Sequence, residues 1–231
     1  MRNTFDRFNG RHQDYQAARP SYAQEFLDWL GELYAPPERY TAADIGSGTG
    51  KLSAQLLAAG FRVCGVEPNP DMRGAAEALL GGDPRFSSSN GTDHDTGLPD
   101  RSVDMVAAAQ AFHWFDGPAF ARECRRILRP GGRAVLVWNV RGSAPMNQAL
   151  AQVFREHCPS FHGFTGGMGE DDPRIRDFFG GAYEKRRFPN PLTLDRDQFL
   201  RRCFSSSYAL REGDADCAAF RAALEAQIGR A

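Results

Sequence analysis

The segment from Asp44 to Gly50 places a carboxylate directly before three glycines that alternate with other residues. Glycines at this spacing let a chain turn tightly and let a ligand approach the backbone without a Cβ in the way. A phosphate-binding P-loop would need a glycine where Ile45 stands and a Ser or Thr where Leu52 stands. The dinucleotide pattern G-x-G-x-x-G meets Lys51 at its third glycine. The segment therefore predicts a ligand-binding turn that fits neither pattern.

Two carboxylates beside this turn indicate the chemistry of the ligand. Glu67 stands at the end of the next predicted strand, where a carboxylate can accept hydrogen bonds from two vicinal ribose hydroxyls. Asp44 precedes the glycines and suits a cationic ammonium group rather than a pyrophosphate. We therefore expect a ligand that combines a ribose with an amino acid moiety.

Short apolar runs alternate with helical patterns around these residues. The pattern predicts strands at 42–45, 62–67, 104–109 and 133–138, a weaker strand at Phe86, and helices at 21–34, 51–59, 71–80 and 118–128. Parallel strands joined in this way need right-handed crossovers and a sheet covered by helices on both faces. The predicted fold is a doubly wound, Rossmann-like α/β fold with a mostly parallel sheet.

The carboxyl-terminal part carries weaker signals. It predicts helices at 146–156, 195–204 and 214–228, a loop at 157–182 and one further strand within 183–194, broken by two prolines. Because no linker divides the chain, we expect one domain over 1–231. Within it, 1–36 would form an arm and helix that act as a lid, 37–141 the ligand-binding core, and 142–231 a helical and loop region that shapes a second site.

Composition excludes several classes of protein. A net charge of −1 and 42% hydrophobic residues predict a globular chain without the basic surface that nucleic acid or acidic membranes require. The sequence has no apolar run of membrane-spanning length and no apolar signal core, so the cytoplasm is the expected location. Five scattered cysteines without a C-x-x-C pair favour reduced thiols, and the acidic run at 170–172 has no histidine at ligand spacing, so no metal site is expected.

Four motifs in one order over residues 40–140 resemble the class I S-adenosylmethionine-dependent methyltransferases with a type 11 methyltransferase domain. They are Ala43–Gly50, Gly65–Met72, Leu98-Pro99 with Ser102-Val103-Asp104, and Ile127–Gly132. Residues 109–115, with Tyr15 and 19–22, are similar to the small-molecule branch that includes the trans-aconitate methyltransferase type. The resemblance implies transfer of a methyl group from S-adenosyl-L-methionine to a small organic acceptor, with O-methylation expected and S-adenosyl-L-homocysteine as the product.

The resemblance also implies which residues hold the cofactor. The glycine turn would surround the methionine part, Glu67 the ribose, and the segments after the second and third strands the adenine. The implied cofactor-binding set is Asp44, Gly46, Ser47, Gly48, Thr49, Gly50, Glu67, Pro68, Met72, Thr92, Asp93, His94 and Gln110. Many relatives carry acids where Thr92 and His94 stand, so the adenine amino contact would pass to Asp93 or to backbone groups. The chain also ends in helix-like sequence, so the family's last edge strand is either missing or built differently.

Residues at the carboxyl ends of the fourth and fifth strands, with the amino-terminal arm, are the candidates for the acceptor site. Methyl transfer is an in-line displacement, so these residues have to align the acceptor and exclude water. The substrate-binding set is Tyr15, Arg19, Phe112, Trp114, Asn139 and Arg141. For a hydroxyl acceptor His113 is the candidate base, because its ordinary pKa lies near neutrality. For a carboxylate acceptor no base is needed, and Arg19 or Arg141 would hold the acid.

Other interpretations of these residues stay open. His113 could be a non-catalytic residue at a strand-to-helix corner, and Tyr15 and Arg19 could serve only to fix the arm. A catalytically silent S-adenosylmethionine-binding protein would keep the same cofactor motifs. An NAD(P)-dependent oxidoreductase would need the third glycine and a Tyr-x-x-x-Lys pair, which the sequence does not contain.

Overall fold

The computed structural model describes residues 20–164, 168–206 and 208–228. The chain forms two compact units. The first unit contains Ser21–Trp138 and Glu170–Asn190, and the second contains the described residues of Asn139–Gly169 and Pro191–Ala231.

A five-stranded parallel sheet forms the centre of the first unit. Its strands are β1 (Thr41–Ile45), β2 (Arg62–Val66), β3 (Phe86–Ser89), β4 (Val103–Ala109) and β5 (Leu128–Val137). They lie in the order β3-β2-β1-β4-β5. The chain therefore reverses its direction of winding between β1 and β4, and ligands of such sheets bind outside the carboxyl ends of the strands at that point. The doubly wound fold predicted from the sequence is confirmed.

Eight α-helices lie in the described part of the chain. They are α1 (Gln24–Leu33), α2 (Lys51–Ala58), α3 (Pro70–Leu80), α4 (Gly117–Ile127), α5 (Pro145–His157), α6 (Pro173–Phe178), α7 (Arg196–Phe204) and α8 (Cys217–Glu225). The described residues contain no helix with the length and apolar character needed to cross a bilayer. The seven helices predicted from periodicity and capping signals all occur, although most of their ends differ by a few residues from the predicted ones.

The first unit is held together by a core between the sheet and the helices α1 and α2. Leu30 and Leu56 are 1% and 0% exposed, and Phe61 packs edge-on against Tyr34. Burying one such side chain completely stabilises the fold by about 1.5–3 kcal/mol. This core fixes the positions of β1 and β2, whose ends carry the predicted ligand-binding residues.

The second unit has its own core between α5, α7 and α8. Phe154 is fully buried there, and its ring lies 5.2 Å from the rings of Tyr208 and Phe220. A capping box at the start of α7 joins Asp195 to Gln198, which explains why the helix begins at this point.

Two predictions about helices are wrong, one about where a helix ends and one about a segment predicted to be a loop. The helix predicted to reach Leu128 ends one residue earlier, because Leu128 pairs with Val103 as the first residue of β5. The predicted loop at 157–182 contains α6, whose start is capped by Asp172 directly before a proline.

The strand predicted within 183–194 is also wrong, since the segment contains none. Two prolines remove backbone donors that a strand would need, and the ring of Phe188 lies 5.8 Å from that of Phe26 and 5.9 Å from that of Trp29. The side chain of Phe188 in this segment therefore packs against α1. Among the described residues β5 has β4 as its one neighbouring strand.

Candidate functional site

The glycine turn follows β1 and leads into α2. Gly46, Gly48 and Gly50 have φ values of +69°, +56° and +81°, a region that side chains with a Cβ rarely adopt. The N–H groups of Gly46 and Ser47 both donate to the carbonyl of Val66, at 2.8 and 3.1 Å. The end of β2 therefore fixes the turn, and the alternating glycines of the sequence are explained by its backbone conformation.

Asp44 lies in β1 immediately before the turn and is 1% exposed. Its Oδ2 accepts a hydrogen bond from the Ser53 hydroxyl at 2.7 Å. Among the residues that the structure describes, its Oδ1 has no hydrogen-bond partner. Burial raises the pKa of Asp44 to about 6, and the hydrogen bonds from Ser53 only partly offset this effect. A buried carboxylate oxygen without a donor is an energetic cost that a cationic ligand would remove.

Thr49 provides a second buried oxygen in the same turn. The residue is 1% exposed, and within the described ranges its Oγ1 has no partner. A hydroxyl can both donate and accept, so Thr49 fits either the ammonium or the carboxylate group of an amino acid.

Glu67 follows β2 and is 9% exposed. Its two carboxylate oxygens accept the backbone N–H groups of Gly48 and Asn69, at 2.9 and 2.8 Å. A carboxylate has about four lone-pair sites, so each oxygen keeps capacity for one further donor. Burial raises the pKa of Glu67 despite these hydrogen bonds. Two vicinal hydroxyl donors would match the remaining capacity and would favour the charged form.

The residues after Glu67 begin α3. The side chain of Asn69 caps this helix by accepting the N–H groups of Asp71 and Met72, each at 3.0 Å. Met72 is buried, at 3% exposure, and Pro68 is half-buried between Glu67 and the cap.

Arg73 connects this region to the chain that follows β3. Its Nη1 donates to the carbonyl of Glu67 at 2.8 Å and to Asn90 Oδ1 at 2.9 Å. The guanidinium therefore helps to hold the end of β2 beside the segment predicted to border the adenine.

The loop after β3 contains the three residues predicted at the adenine edge. Thr92 Oγ1 accepts the N–H of Asp95 at 3.1 Å, which closes a tight turn. Asp93 Oδ2 accepts the N–H of Asp116 at 3.0 Å, and Oδ1 lies 3.1 Å from Nδ1 of His94, whose side chain is 58% exposed. Asp93 therefore joins the loop to the start of α4.

Glu123 fixes the other end of this loop from inside α4. It accepts the backbone N–H and the hydroxyl of Thr96 at 2.9 and 2.6 Å, and two hydrogen bonds from Arg126. Burial opposes ionisation of Glu123, but these hydrogen bonds outweigh it and lower its pKa to about 2. The sequence did not lead us to Glu123, although an acid inside an amphipathic helix is a signal of a buried polar contact.

The end of β4 carries the candidates for the acceptor side. Gln110 has a φ of +55°, which is a strained conformation for glutamine, and its N–H donates to the carbonyl of Val137 at 2.8 Å. A 3-10 turn, Phe112–Trp114, follows. The rings of His113 and Trp114 lie 4.9 Å apart; His113 is half-buried, and Trp114 is 40% exposed.

Phe112 points into an aromatic core. It is 2% exposed, and its ring lies within 6.4 Å of the rings of Phe115, Phe120, Trp138 and Phe178. This packing makes Phe112 a structural support for the turn, and Trp114 is the more exposed of the two aromatic side chains. Within the described ranges, the buried indole nitrogen of Trp138 has no partner. No signal in the sequence singled out this donor.

Of the remaining predicted acceptor residues, two lie in the second unit and two lie outside the described residues. Asn139 and Arg141 belong to the second unit, where the guanidinium of Arg141 lies 4.2 Å from the centre of the Phe164 ring. Tyr15 and Arg19 lie outside the described residues. The cofactor candidates and the 110–114 segment thus share the first unit, and the roles of all the site residues stay predictions.

Comparison with known proteins agrees with this geometry. A family model described as a methyltransferase domain matches residues 43–136, which run from β1 into β5. An uncharacterized methyltransferase of Mycobacterium tuberculosis is 42% identical over 127 residues, which are 55% of this chain and 49% of that protein. An uncharacterized methyltransferase-like protein of Schizosaccharomyces pombe is 30% identical over 209 residues, 86% of this chain and 77% of that protein. The chain spans about half the length of the mycobacterial relative.

Solved structures show the same fold. A candidate type II methyltransferase from Anaeromyxobacter dehalogenans superposes with a TM-score of 0.60 and is 30% identical, covering 91% of this chain and 90% of that one. A candidate S-adenosyl-L-methionine-dependent methyltransferase from Methanococcus maripaludis has a TM-score of 0.57 at 21% identity, covering 78% and 85%. The second similarity concerns the fold alone.

Proposed function

The chain belongs to the class I S-adenosylmethionine-dependent methyltransferases, and from this membership we propose that it transfers a methyl group from S-adenosyl-L-methionine to an oxygen of a small organic acceptor. The narrower resemblance to the trans-aconitate type stays a prediction. The observation that carries the proposal is the set of buried acceptor oxygens at the ends of β1 and β2, on Asp44, Thr49 and Glu67.

These oxygens fit the groups of the cofactor one by one. Oδ1 of Asp44 would accept from the ammonium group, and Thr49 would complete the contacts to the amino acid part. Glu67 would accept from both ribose hydroxyls, while Met72 and the loop at 92–94 would border the adenine. A pyrophosphate at the same place would face two buried acids, which disfavours a nicotinamide cofactor.

The residues of the chain then have to orient the acceptor and keep water out. The cofactor supplies an electrophilic methyl group on a positively charged sulfur. The exposed ring of Trp114 could contribute about 0.5–2 kcal/mol to binding of that cation. This contribution fades as the charge is lost, so it would favour cofactor binding more than catalysis.

The role of His113 depends on the acceptor. With a hydroxyl acceptor, one ring nitrogen of His113 would take the hydroxyl proton as the bond from oxygen to the methyl carbon forms and the bond from that carbon to sulfur breaks, which leaves S-adenosylhomocysteine. With a carboxylate acceptor, the oxygen is already a nucleophile, and Arg141 or Arg19 would hold the acid instead. We propose a hydroxyl acceptor with His113 as its base. We also propose a cytoplasmic location and no nucleic acid or membrane partner.

Two measurements test this function. Calorimetry with S-adenosylhomocysteine and with NAD decides the cofactor, and we expect heat from the first compound only. Incubation with S-adenosylmethionine that carries an isotope-labelled methyl group, together with small hydroxy compounds and small acids, should give a labelled product by mass spectrometry. Binding of NAD in place of S-adenosylhomocysteine would overturn the proposal, and cofactor binding without any labelled product would favour a silent binding protein.

The substitution His113→Ala separates the two acceptor classes. With a hydroxyl acceptor, we expect the turnover number to fall by about 100-fold or more at neutral pH, because a general base contributes about that factor. Unchanged turnover of the labelled acceptor would contradict the role of His113.

A further inference from the structure

Ser53 lies in the first turns of α2 and is 0% exposed. Its hydroxyl donates to Oδ2 of Asp44 at 2.7 Å. Oδ1 of Asp44 has no hydrogen-bond partner among the described residues. The two oxygens of one buried carboxylate are therefore in different situations, one held from α2 and one without a donor.

We propose that Ser53 is a positioning residue for the cofactor: it holds Oδ2 of Asp44 so that Oδ1 is left to accept from the ammonium group of the methionine moiety. This inference rests on the proposed function. By this inference, a residue of α2 orients the Asp44 carboxylate, and that carboxylate selects a ligand with a free amino group. The rest of the ligand, its ribose and adenine, would be bound without help from Ser53.

A carboxylate that makes no other hydrogen bond could rotate about its last side-chain bond. In the structure the Ser53 hydroxyl restrains that rotation, because it donates to one of the two oxygens at 2.7 Å. The carboxylate is also kept closer to its charged form, since hydrogen bonds from Ser53 lower the pKa of Asp44 against the effect of burial. Among the described residues, Glu67 is the charged group that acts on Asp44, and it opposes ionisation.

The experiment compares two ligands that differ only in the part that Asp44 would recognise. S-adenosylhomocysteine carries the amino acid moiety, and 5′-methylthioadenosine keeps the ribose, the adenine and the sulfur without it. We expect Ser53→Ala to weaken the binding of S-adenosylhomocysteine about tenfold or more at pH 7, which corresponds to the loss of one charge-assisted hydrogen bond. The affinity for methylthioadenosine should change by less than about twofold. Ser53→Cys, which keeps the shape of the side chain but has only a weak donor, should behave like Ser53→Ala.

A matched control removes another buried hydroxyl. Ser205 is 3% exposed in the second unit and donates to the carbonyl of Arg202 at 2.9 Å. Ser205→Ala should leave the affinity for both ligands unchanged.

The pH dependence gives a readout that a merely structural role would not produce. In the wild type, the affinity for S-adenosylhomocysteine should fall as the pH drops through about 6, where Asp44 takes up a proton. In Ser53→Ala this fall should begin at a higher pH, while the affinity for methylthioadenosine should have the same pH profile in both proteins. Equal losses for both ligands, or an unshifted profile, would overturn the role of Ser53 while leaving the cofactor assignment intact. A wild type that does not bind S-adenosylhomocysteine would overturn both.

Discussion

Asp44 and Glu67 are the residues on which the proposed cofactor site depends, and burying their charged groups costs free energy. Burial raises the pKa of both carboxyl groups, so their charged forms are disfavoured in the protein without ligand. A ligand that donates hydrogen bonds to them stabilises the charged forms. Stability of the free protein is thus lower than it would be with neutral groups at the same positions.

The stability cost of Asp44 can be measured through its pH dependence. Its pKa is about 6 in the folded protein against an ordinary value of 3.8, so between these values the folded state binds more protons than the unfolded chain, and stability falls as the pH rises. Relative to the wild type, Asp44→Asn should therefore gain stability as the pH rises from below 4 to about 7, by up to about 3 kcal/mol. Urea unfolding at several pH values measures this gain. A constant difference between the two proteins would show that Asp44 is not desolvated as described.

Glu67→Ala tests the ribose contact. It should weaken the binding of S-adenosylhomocysteine at least about tenfold, because about 1.4 kcal/mol or more of binding free energy is lost. Glu25→Ala is the matched control, since that acid is exposed in the first turn of α1. Calorimetry on both variants gives the comparison, and a dissociation constant that Glu67→Ala leaves unchanged would remove the ribose assignment.

Two elements carry most of the predicted cofactor-binding residues: the glycine turn and the loop after β3. At Gly46 a Cβ would lie 2.9 Å from that of Ala111 and 3.2 Å from the Phe115 ring, whereas at Gly48 no atom lies within 4 Å of the added Cβ. Gly46 is therefore needed because the turn lies close to the chain that follows β4. Gly48 is needed for its positive φ, and it leaves open space beside the turn.

This difference predicts two separable effects. Gly46→Ala should destabilise the protein more than Gly48→Ala, because a steric cost of about 1–3 kcal/mol adds to the backbone strain that both share. Gly48→Ala should affect S-adenosylhomocysteine binding more strongly than stability, because its methyl group would stand in open space at the turn where the cofactor is proposed to bind. Urea unfolding and calorimetry measure the two effects. Equal stability losses would contradict the packing role of Gly46.

The loop after β3 depends on Glu123 in α4. Because Glu123 accepts two hydrogen bonds from Thr96, Glu123→Ala should release the loop and speed hydrogen exchange in residues 90–97 at least about tenfold. Exchange in β1 should stay unchanged, and mass spectrometry of the peptides separates the two regions. Unchanged exchange in the loop would show that its other contact, between Asp93 and the N–H of Asp116, is sufficient.

Elements with a local cause could be predicted from the sequence. The strands β1, β2 and β4 are short apolar runs, α3 begins at an Asn-Pro cap, and the glycine turn has its own spacing. What could not be predicted depends on distant partners: Phe188 packs against α1 instead of joining a strand, Ser53 meets Asp44, and Glu123 meets Thr96. A periodic pattern shows that such side chains are buried but not what they contact.

At the scale of the whole molecule, the cofactor candidates that the structure describes all lie in the first unit. Its parallel sheet explains this grouping, because the carboxyl ends of β1, β2 and β4 meet at one edge. Two candidates for the acceptor side, Asn139 and Arg141, lie in the second unit. The first unit carries the motifs of the family, which is why its residues could be assigned from the sequence while the acceptor could not.

A crystal structure of the protein grown with S-adenosylhomocysteine tests the central claim most directly. We expect both ribose hydroxyls at about 2.6–3.0 Å from the carboxylate of Glu67 and the ammonium group at about 2.7–3.0 Å from Oδ1 of Asp44. Ligand density at another place, or none at a saturating concentration, would contradict the account.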